Sequence, residues 1–322
     1  MKKLIAIVLA TLLLVSMTAC NGSEKPDDGK YVVGICQIAS FEALDDATNG
    51  FKAALIEELG EENVEFKLGN AAGEYANCQT IIDGYVADEV DLILANATGP
   101  LQAAVAATSQ IPILGTSVTD YATALKISNW TGTVGGNVSG TTDLAPLTQQ
   151  ADMILELVPD AKTVGLLYCS AEPNSVYQIS EVEKYLATKN ITCKRFAFTD
   201  VNDLASVSQT ACDESDVIYI PTDNTAANNT EAIANVVLSD ANKTPVVAGE
   251  SGICGGCGIA TLSIDYYELG ATTGKMAAKI LKGEADISKM PVESAPEATK
   301  KYNDANCKAL GINVPAGYEP LG

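Results

Sequence analysis

Residues 32–59, VVGICQIASFEALDDATNGFKAALIEEL, join a short apolar run to a longer segment with helical periodicity. The run at 32–38 is apolar almost throughout, which predicts a buried β-strand. In the segment that follows, apolar side chains recur three and four positions apart, at Leu44, Ala47, Phe51, Ala54 and Leu55. This spacing predicts an amphipathic helix over 43–59, so the stretch forms a strand–helix unit, the building block of an α/β fold.

The same alternation continues along the chain. Further strands are predicted at 64–68, 92–95, 112–116, 163–168, 192–198, 217–221, 245–248 and 259–264, and further helices at 75–88, 100–109, 147–158, 175–188, 203–212, 226–240 and 267–281. Because these strands are apolar at successive positions, we expect parallel sheets covered by helices on both faces. Glycine, threonine and asparagine interrupt the periodicity between residues 119 and 143, which predicts a hinge between two doubly wound lobes.

The N-terminus has the three regions of an export signal. Two lysines precede an apolar run at 4–15, and Thr18 and Ala19 stand directly before Cys20. The run is too short for a convincing membrane-spanning helix. We therefore predict a signal peptide over 1–19, a lipid-bearing Cys20, a tether over 20–30, and an extracytoplasmic protein that is lipid-anchored to the cell membrane. An uncleaved signal anchor and an ordinary secreted protein are the alternatives.

The composition excludes several functions. The chain has 41 acidic and 20 basic residues, and loss of the two signal-peptide lysines changes the formal net charge from −21 to −23. Such a surface repels nucleic acid, so no nucleic-acid partner is expected. The sequence contains no histidine, which excludes Ser-His-Asp and Cys-His nucleophiles, and it has no P-loop or dinucleotide-binding signature. We expect neither an enzyme nor a cofactor.

The cysteines give a mixed signal. Besides Cys20, we expect several to be free and buried, because Cys36 and Cys169 lie inside apolar strand-like runs. Cys254 and Cys257 form a CxxC in ESGICGGCGI (250–259), a spacing found in redox pairs and in halves of zinc sites. The sequence has no second CxxC, so no metal site is expected. A local disulfide that pins a glycine-rich loop is the prediction.

Long segments of the mature chain form a pattern that is recognisable as a whole. They include VGICQIASFEALDDATNGFKAAL (33–55), GGNVSGTTDLAPLTQQADMILELVPDAKTVGLLYCSAEPNSV (135–176) and IDYYELGATTGKMAAKILKGE (264–284). In order and spacing, the chain resembles a family of ABC transporter substrate-binding lipoproteins that includes tryptophan and tyrosine binders. The resemblance implies a type I periplasmic-binding fold, a small ligand, namely an amino acid with an aromatic side chain, and a membrane permease and an ATPase as partners.

The resemblance also implies a division into lobes. In the type I fold a late helix returns to the first lobe, so that several crossovers join the two. The expected first lobe is 31–140 plus 265–291, and the expected second lobe is 141–264 plus 292–322.

Polar loops follow the predicted strands at their carboxyl ends, where open parallel sheets bind their ligands. Ser, Thr, Asn and Asp are frequent in these loops. The same residue types are preferred as helix caps, so capping is the alternative to ligand contact. The candidate ligand-binding residues are Ser40, Phe41, Leu44, Asn96, Thr98, Thr116, Ser170, Asn174, Ser175, Thr222, Asp223, Asn224, Glu250 and Asp265.

An amino-acid ligand needs donors for its carboxylate and an acceptor for its ammonium group. The predicted helix N-termini near Thr98, Ser175 and Thr225 offer free N–H groups and the positive end of a helix dipole. A buried carboxylate is costly without a cationic partner, which makes buried acids natural sites for the ammonium group. The candidate acids are Asp223, Glu250 and Asp265, followed by Asp143 and Asp120.

Two other functions stay open at this point. A protein of the same fold could signal ligand occupancy to a membrane receptor instead of delivering the ligand to a permease. The CxxC pair could belong to a redox protein.

Overall fold

The computed structural model describes residues 29–294 and 297–321. The predicted signal peptide, the lipidation residue Cys20 and the tether up to residue 28 lie outside the described residues. Among the helices that the structure describes, none is both long and apolar enough to cross a bilayer.

Strands and helices alternate along the described chain. The strands are β1 (Tyr31–Gln37), β2 (Val64–Asn70), β3 (Leu92–Asn96), β4 (Ile113–Val118), β5 (Val138–Thr142), β6 (Thr163–Cys169), β7 (Thr192–Phe198), β8 (Val217–Ile220), β9 (Val246–Ala248), β10 (Ala260–Ser263), β11 (Glu293–Ser294), β12 (Thr299–Tyr302) and β13 (Glu319–Pro320). The helices are α1 (Glu42–Leu59), α2 (Tyr75–Ala87), α3 (Thr98–Ala107), α4 (Tyr121–Leu125), α5 (Leu147–Leu157), α6 (Pro173–Thr188), α7 (Val201–Glu214), α8 (Asn224–Ala227), α9 (Thr230–Val237), α10 (Ser251–Cys257), α11 (Tyr266–Leu281) and α12 (Asp304–Leu310). The predicted α/β fold is confirmed.

The strands form two sheets of the same design. The first has the order β11-β5-β4-β3-β1-β2, and the second has the order β13-β12-β10-β9-β8-β6-β7. The strand pairs within the described residues are parallel except β10–β12. In both sheets the strand order reverses beside the first strand of the lobe, and a crevice for ligand opens at such a reversal, outside the carboxyl ends of the strands.

The helix α11 packs against α1 in the first lobe, although in the chain it lies between β10 and β12 of the second sheet. The two helices approach to backbone contact, because a Cβ added to Gly50 would lie 2.0 Å from the Tyr267 carbonyl oxygen and one added to Gly270 would lie 1.9 Å from that of Ala47. The first sheet also includes β5 and β11, so it extends slightly beyond the predicted lobe boundaries at 140 and 291.

The cysteines that the structure describes carry free thiols. Cys36 and Cys169 are buried in strands, as predicted. The predicted disulfide between Cys254 and Cys257 is wrong, since both residues are free and lie in α10 with their side chains in the core of the second lobe. Burial raises the pKa of Cys257 to about 12 and that of Cys254 well above its ordinary value. A reactive thiol needs a lowered pKa and access to solvent. The Cys254 and Cys257 thiols have neither property, so they do not form a redox site.

Candidate ligand-binding cleft

The carboxyl ends of the two sheets face each other across a cleft, and the inner end of this cleft is a small cavity lined by both lobes. The volume of this inner cavity is about 10 Å³, so it has room for roughly one water molecule. The residues that line this inner cavity are Phe41, Ala43, Leu44, Ser117, Thr119, Asp143, Asn174, Thr222, Asp223, Asn224, Ala227, Glu250 and Tyr266.

Half of the predicted ligand-binding residues line the inner cavity: Phe41, Leu44, Asn174, Thr222, Asp223, Asn224 and Glu250. Ser117, Thr119 and Tyr266 also line it and were missed. Ser117 lies in β4 at a shift of the β4–β5 register, and its φ of 53° turns its side chain out of the strand pattern. Bulges of this kind re-aim side chains, and no signal in the sequence marks this one.

Four predicted residues of the first lobe form hydrogen bonds or are buried within that lobe. Ser40 bonds the Asp45 carboxylate on the surface, 2.9 Å away. The Asn96 amide donates to the Leu44 carbonyl oxygen at 2.8 Å, and Thr116 accepts a hydrogen bond from the hydroxyl of Thr141. Thr98 is buried at the start of α3. None of the four predicted residues lines the inner cavity.

Three other predicted residues also lie away from the inner cavity. The Ser170 hydroxyl donates to the carbonyl oxygen of Phe198 at 3.1 Å, and the Ser175 hydroxyl donates to Asp223 at 2.7 Å. Asp265 is exposed and caps α11, where its carboxylate accepts the backbone N–H of Glu268 at 3.0 Å. Asp265 is therefore not placed to bind a ligand in the cleft.

Asp223 and Glu250 line the cavity, but their oxygens already accept backbone N–H groups of the protein. Asp223 accepts the N–H of Ala226 at 2.9 Å with one oxygen and the N–H of Cys169 at 2.7 Å with the other. Glu250 accepts the N–H groups of Gly252 and Ile253. Burial raises the pKa of Asp223 to about 8, with repulsion from Glu172 adding to the effect, and burial raises that of Glu250 to about 7.

Glu172 is a buried carboxylate that the sequence analysis missed. Its two oxygens accept the backbone N–H of Asn224 and the backbone N–H of Thr225, each at 2.9 Å, as well as side-chain bonds from both residues. The N-terminus of α8 is thus satisfied by a carboxylate of the protein, and the predicted anion site near Thr225 is filled.

Asp143, at the end of β5, is the carboxylate of the cavity with an unused oxygen. Its Oδ2 accepts the hydroxyl of Tyr266 at 3.0 Å, whereas its Oδ1 is buried and has no hydrogen-bond partner. Burial raises the pKa of Asp143, and the bond from Tyr266 opposes this change. The Ser117 hydroxyl and the Asn174 Oδ1 line the same cavity and are also buried without partners. Buried polar atoms of this kind are costly, so a ligand that pairs with them is stabilised.

The electrostatics of the inner cavity favour a cation beside Asp143. Asp143, Asp223 and Glu250 are buried carboxylates, and neither lysine nor arginine is among the residues that line the cavity. Isolated buried carboxylates are unfavourable, and a cationic group brought by a ligand relieves this cost.

The N-terminus of α1 offers donors on another side of the cavity. Its N-cap residue Phe41 makes no side-chain capping bond, and Ala43 and Leu44 of its first turn line the cavity. The first N–H groups of a helix point outward and carry the positive end of the dipole, which favours an anion. The inner cavity therefore combines acceptors for a cation with donors for an anion.

Contacts between the lobes hold the cleft closed. The Thr119 hydroxyl of the first lobe lies 3.3 Å from the Thr222 hydroxyl of the second. The Gln178 amide of α6 donates to Thr222 at 2.6 Å and reaches Thr119 at 3.4 Å.

Two α/β lobes that close over a small polar cavity define a two-lobed solute-binding protein. Residues 32–317 match the family model described as ABC transporter substrate binding protein, and the chain belongs to this family. It is 31% identical to the tyrosine-binding protein of Clostridioides difficile (strain R20291) over 325 residues, which cover 97% of this chain and 93% of that protein.

Solved structures give the same assignment and also report on the arrangement of the lobes. An ABC domain from Streptococcus pneumoniae in complex with L-Trp is 29% identical with a TM-score of 0.85, covering 91% of this chain and 100% of that one. A ligand-free, open substrate-binding protein from Clostridium difficile is 32% identical, yet its TM-score is 0.69, with coverage of 90% and 99%. At nearly equal identity, the lobes of this protein are thus arranged more like those of the complex than those of the open form.

Proposed function

We propose that this protein captures an amino acid with an aromatic side chain between its lobes and delivers it to the permease and ATPase of an ABC importer. The unpartnered Oδ1 of Asp143, in a closed cavity without lysine or arginine, is the observation that carries the proposal. The tyrosine-binding relative and the L-Trp complex support the ligand class.

In this proposal the two ends of the zwitterion take different partners. The ammonium group bonds the Asp143 carboxylate and the Asn174 amide oxygen, both of which are unpartnered acceptors. The carboxylate takes the Ser117 hydroxyl and the N–H groups at the start of α1. The inner cavity has room for roughly one water in this closed arrangement, so the head group enters while the lobes are apart, and the lobes then close around it with the cleft slightly wider than here.

The setting of the protein forms part of the same proposal. A signal peptide over 1–19, a lipid on Cys20 and a short polar tether would hold the binding lobes outside the cytoplasm, close to a membrane permease. Mass spectrometry of the membrane-extracted protein tests this, since an N-terminus at Cys20 that carries lipid is expected.

Calorimetric titration of the mature protein tests the ligand site. We expect L-Tyr, L-Trp or L-Phe to bind, and Asp143→Asn to lower the affinity by at least about tenfold, because it removes the charge that faces the ammonium group. Asp265→Asn is the matched control, since Asp265 is an exposed cap, and it should leave the affinity unchanged. Binding of sugars alone, or equal effects of the two substitutions, would contradict the proposal.

A further inference from the structure

A second cavity of about 370 Å³ lies in the cleft next to the inner one, and nothing in the proposed head-group site uses it. We refer to it as the outer cavity. Both lobes line it, with Ile38, Ala39 and Tyr75 on one side and Cys169, Ala171 and Val201 on the other. Asn224 lines both cavities. The volume lies within the range of ~300–1,000 Å³ that is typical of small-molecule pockets.

Size decides which part of an amino acid each cavity can take. The inner cavity has room for roughly one water, so an aromatic ring does not fit beside the head group. The outer cavity has the volume that a ring needs, and its mixed lining offers apolar side chains beside the acids Glu74, Glu172 and Asp200. Val201 is 48% exposed and adds apolar surface to this lining.

Tyr75 is a residue of the outer-cavity wall. The Tyr75 ring packs on Gly99 at the start of α3, where an added Cβ would lie 2.7 Å from a ring carbon, so the ring is fixed in place. Its hydroxyl oxygen is buried and has no hydrogen-bond partner. Glu172 lies nearby, but its oxygens already accept the bonds from Asn224 and Thr225. Burial raises the pKa of Tyr75, so the hydroxyl keeps its proton and can donate.

Building on the proposed function, we propose that the outer cavity holds the aromatic side chain of the ligand and that Tyr75 bonds the polar group at its far end. A phenol hydroxyl can accept a hydrogen bond from the Tyr75 hydroxyl, an indole N–H can donate one to the Tyr75 oxygen, and the benzyl ring of phenylalanine can do neither. Tyr75 thereby selects tyrosine and tryptophan over phenylalanine. A site that hydrogen-bonds a ligand hydroxyl discriminates against the analogue that lacks it, because its own polar atom is then left unpaired.

Titration of the mature protein with L-Tyr, L-Trp and L-Phe tests this inference. Tyr75→Phe removes one oxygen atom, and we expect the affinity for L-Tyr or L-Trp to fall about fivefold while that for L-Phe stays the same or rises. Ala171→Trp fills the outer cavity and should weaken all aromatic ligands by at least about tenfold. Tyr185→Phe is the matched control, because the Tyr185 hydroxyl bonds Asp152 on the surface of the second lobe.

The outcomes separate this inference from the proposed function. Wild-type protein that binds none of the three amino acids would overturn both. Binding that Asp143→Asn weakens but that Tyr75→Phe and Ala171→Trp leave unchanged would overturn the outer-cavity inference alone. If Tyr75→Phe lowered the affinities for L-Tyr and L-Phe equally, the Tyr75 hydroxyl would not select between ligands.

Discussion

At Asp143 the two oxygens of one carboxylate have different surroundings. One accepts the hydroxyl of Tyr266, and the other is buried in the cleft without a partner. Asp223 and Glu250 lie in the same cavity, but their oxygens already accept backbone N–H groups: Glu250 from the helix turn that follows it, and Asp223 from the turn that follows it and from Cys169 at the end of β6. All three are buried acids at the ends of strands. Asp223 and Glu250 stabilise the loops that hold them, whereas Asp143 keeps one oxygen free to bind a ligand.

The buried acids make stability depend on pH. The pKa values of Asp223 and Glu250 are about 8 and about 7 in the folded protein, against ordinary values of 3.8 and 4.5. The folded state therefore holds more protons than the unfolded chain between these limits, and the stability that both acids contribute at low pH is lost progressively as the pH rises from their ordinary pKa values to about 8. We expect the melting temperature of the ligand-free protein to fall over this range. A bound ammonium group should offset the loss, so the ligand-induced increase in melting temperature should grow with pH.

Melting curves across this pH range, with and without ligand, measure the effect. Glu250→Gln should give a shallower slope, and Glu268→Gln, which changes an exposed acid, should keep the wild-type slope. A wild-type slope in Glu250→Gln would mean that Glu250 does not contribute to the pH dependence.

The sequence predicted where the polar loops of the site lie better than it predicted the role of each residue in them. The polar loops at the strand ends were visible, and they supplied Asn174, Thr222 and Asp223 to the cavity. Whether a carboxylate is free depends on partners that are distant in the chain. Glu172 caps residues more than 50 positions away, and Asp143 meets a tyrosine 123 positions away. Neither pairing leaves a local pattern.

Among the elements, the long amphipathic helices and apolar strands followed from periodicity, and the short ones did not. The helix α10 contains three glycines in seven residues, so its propensity favours a loop. The Glu250 cap and the burial of Ile253, Cys254 and Cys257 offset that propensity. The strand β5 lies inside the predicted hinge because small polar residues hid its periodicity.

The contact of α1 with α11 gives a prediction for stability. A methyl group at Gly270 would overlap the Ala47 carbonyl oxygen, so Gly270→Ala should lower the free energy of unfolding by about 1–3 kcal/mol. Gly84 in α2 has open space around its Cβ position, and Gly84→Ala should raise the free energy of unfolding by about 0.4–1 kcal/mol. Urea unfolding measures both, and a Gly270→Ala variant as stable as Gly84→Ala would mean that the helices are further apart.

For the whole molecule, function depends on the balance between open and closed lobes. Gln178 contributes to closure through its bond to Thr119 across the cleft, whereas its bond to Thr222 lies within the second lobe; Gln178 does not line the inner cavity. A side chain that stabilises only the closed state raises ligand affinity through the population of that state, without touching the ligand.

Gln178→Ala should therefore open the ligand-free protein and weaken binding. The lost bond between the lobes contributes about 0.5–1.5 kcal/mol, so we expect the affinity to fall roughly two- to tenfold. In small-angle X-ray scattering, the ligand-free variant should have a larger radius of gyration than the wild type, and saturating ligand should remove the difference. Gln209→Ala is the control, since Gln209 bonds Asp213 and Asn242 on the surface of the second lobe. If Gln178→Ala changed neither affinity nor radius, the closed arrangement would rest on the remaining interface and not on this hydrogen bond.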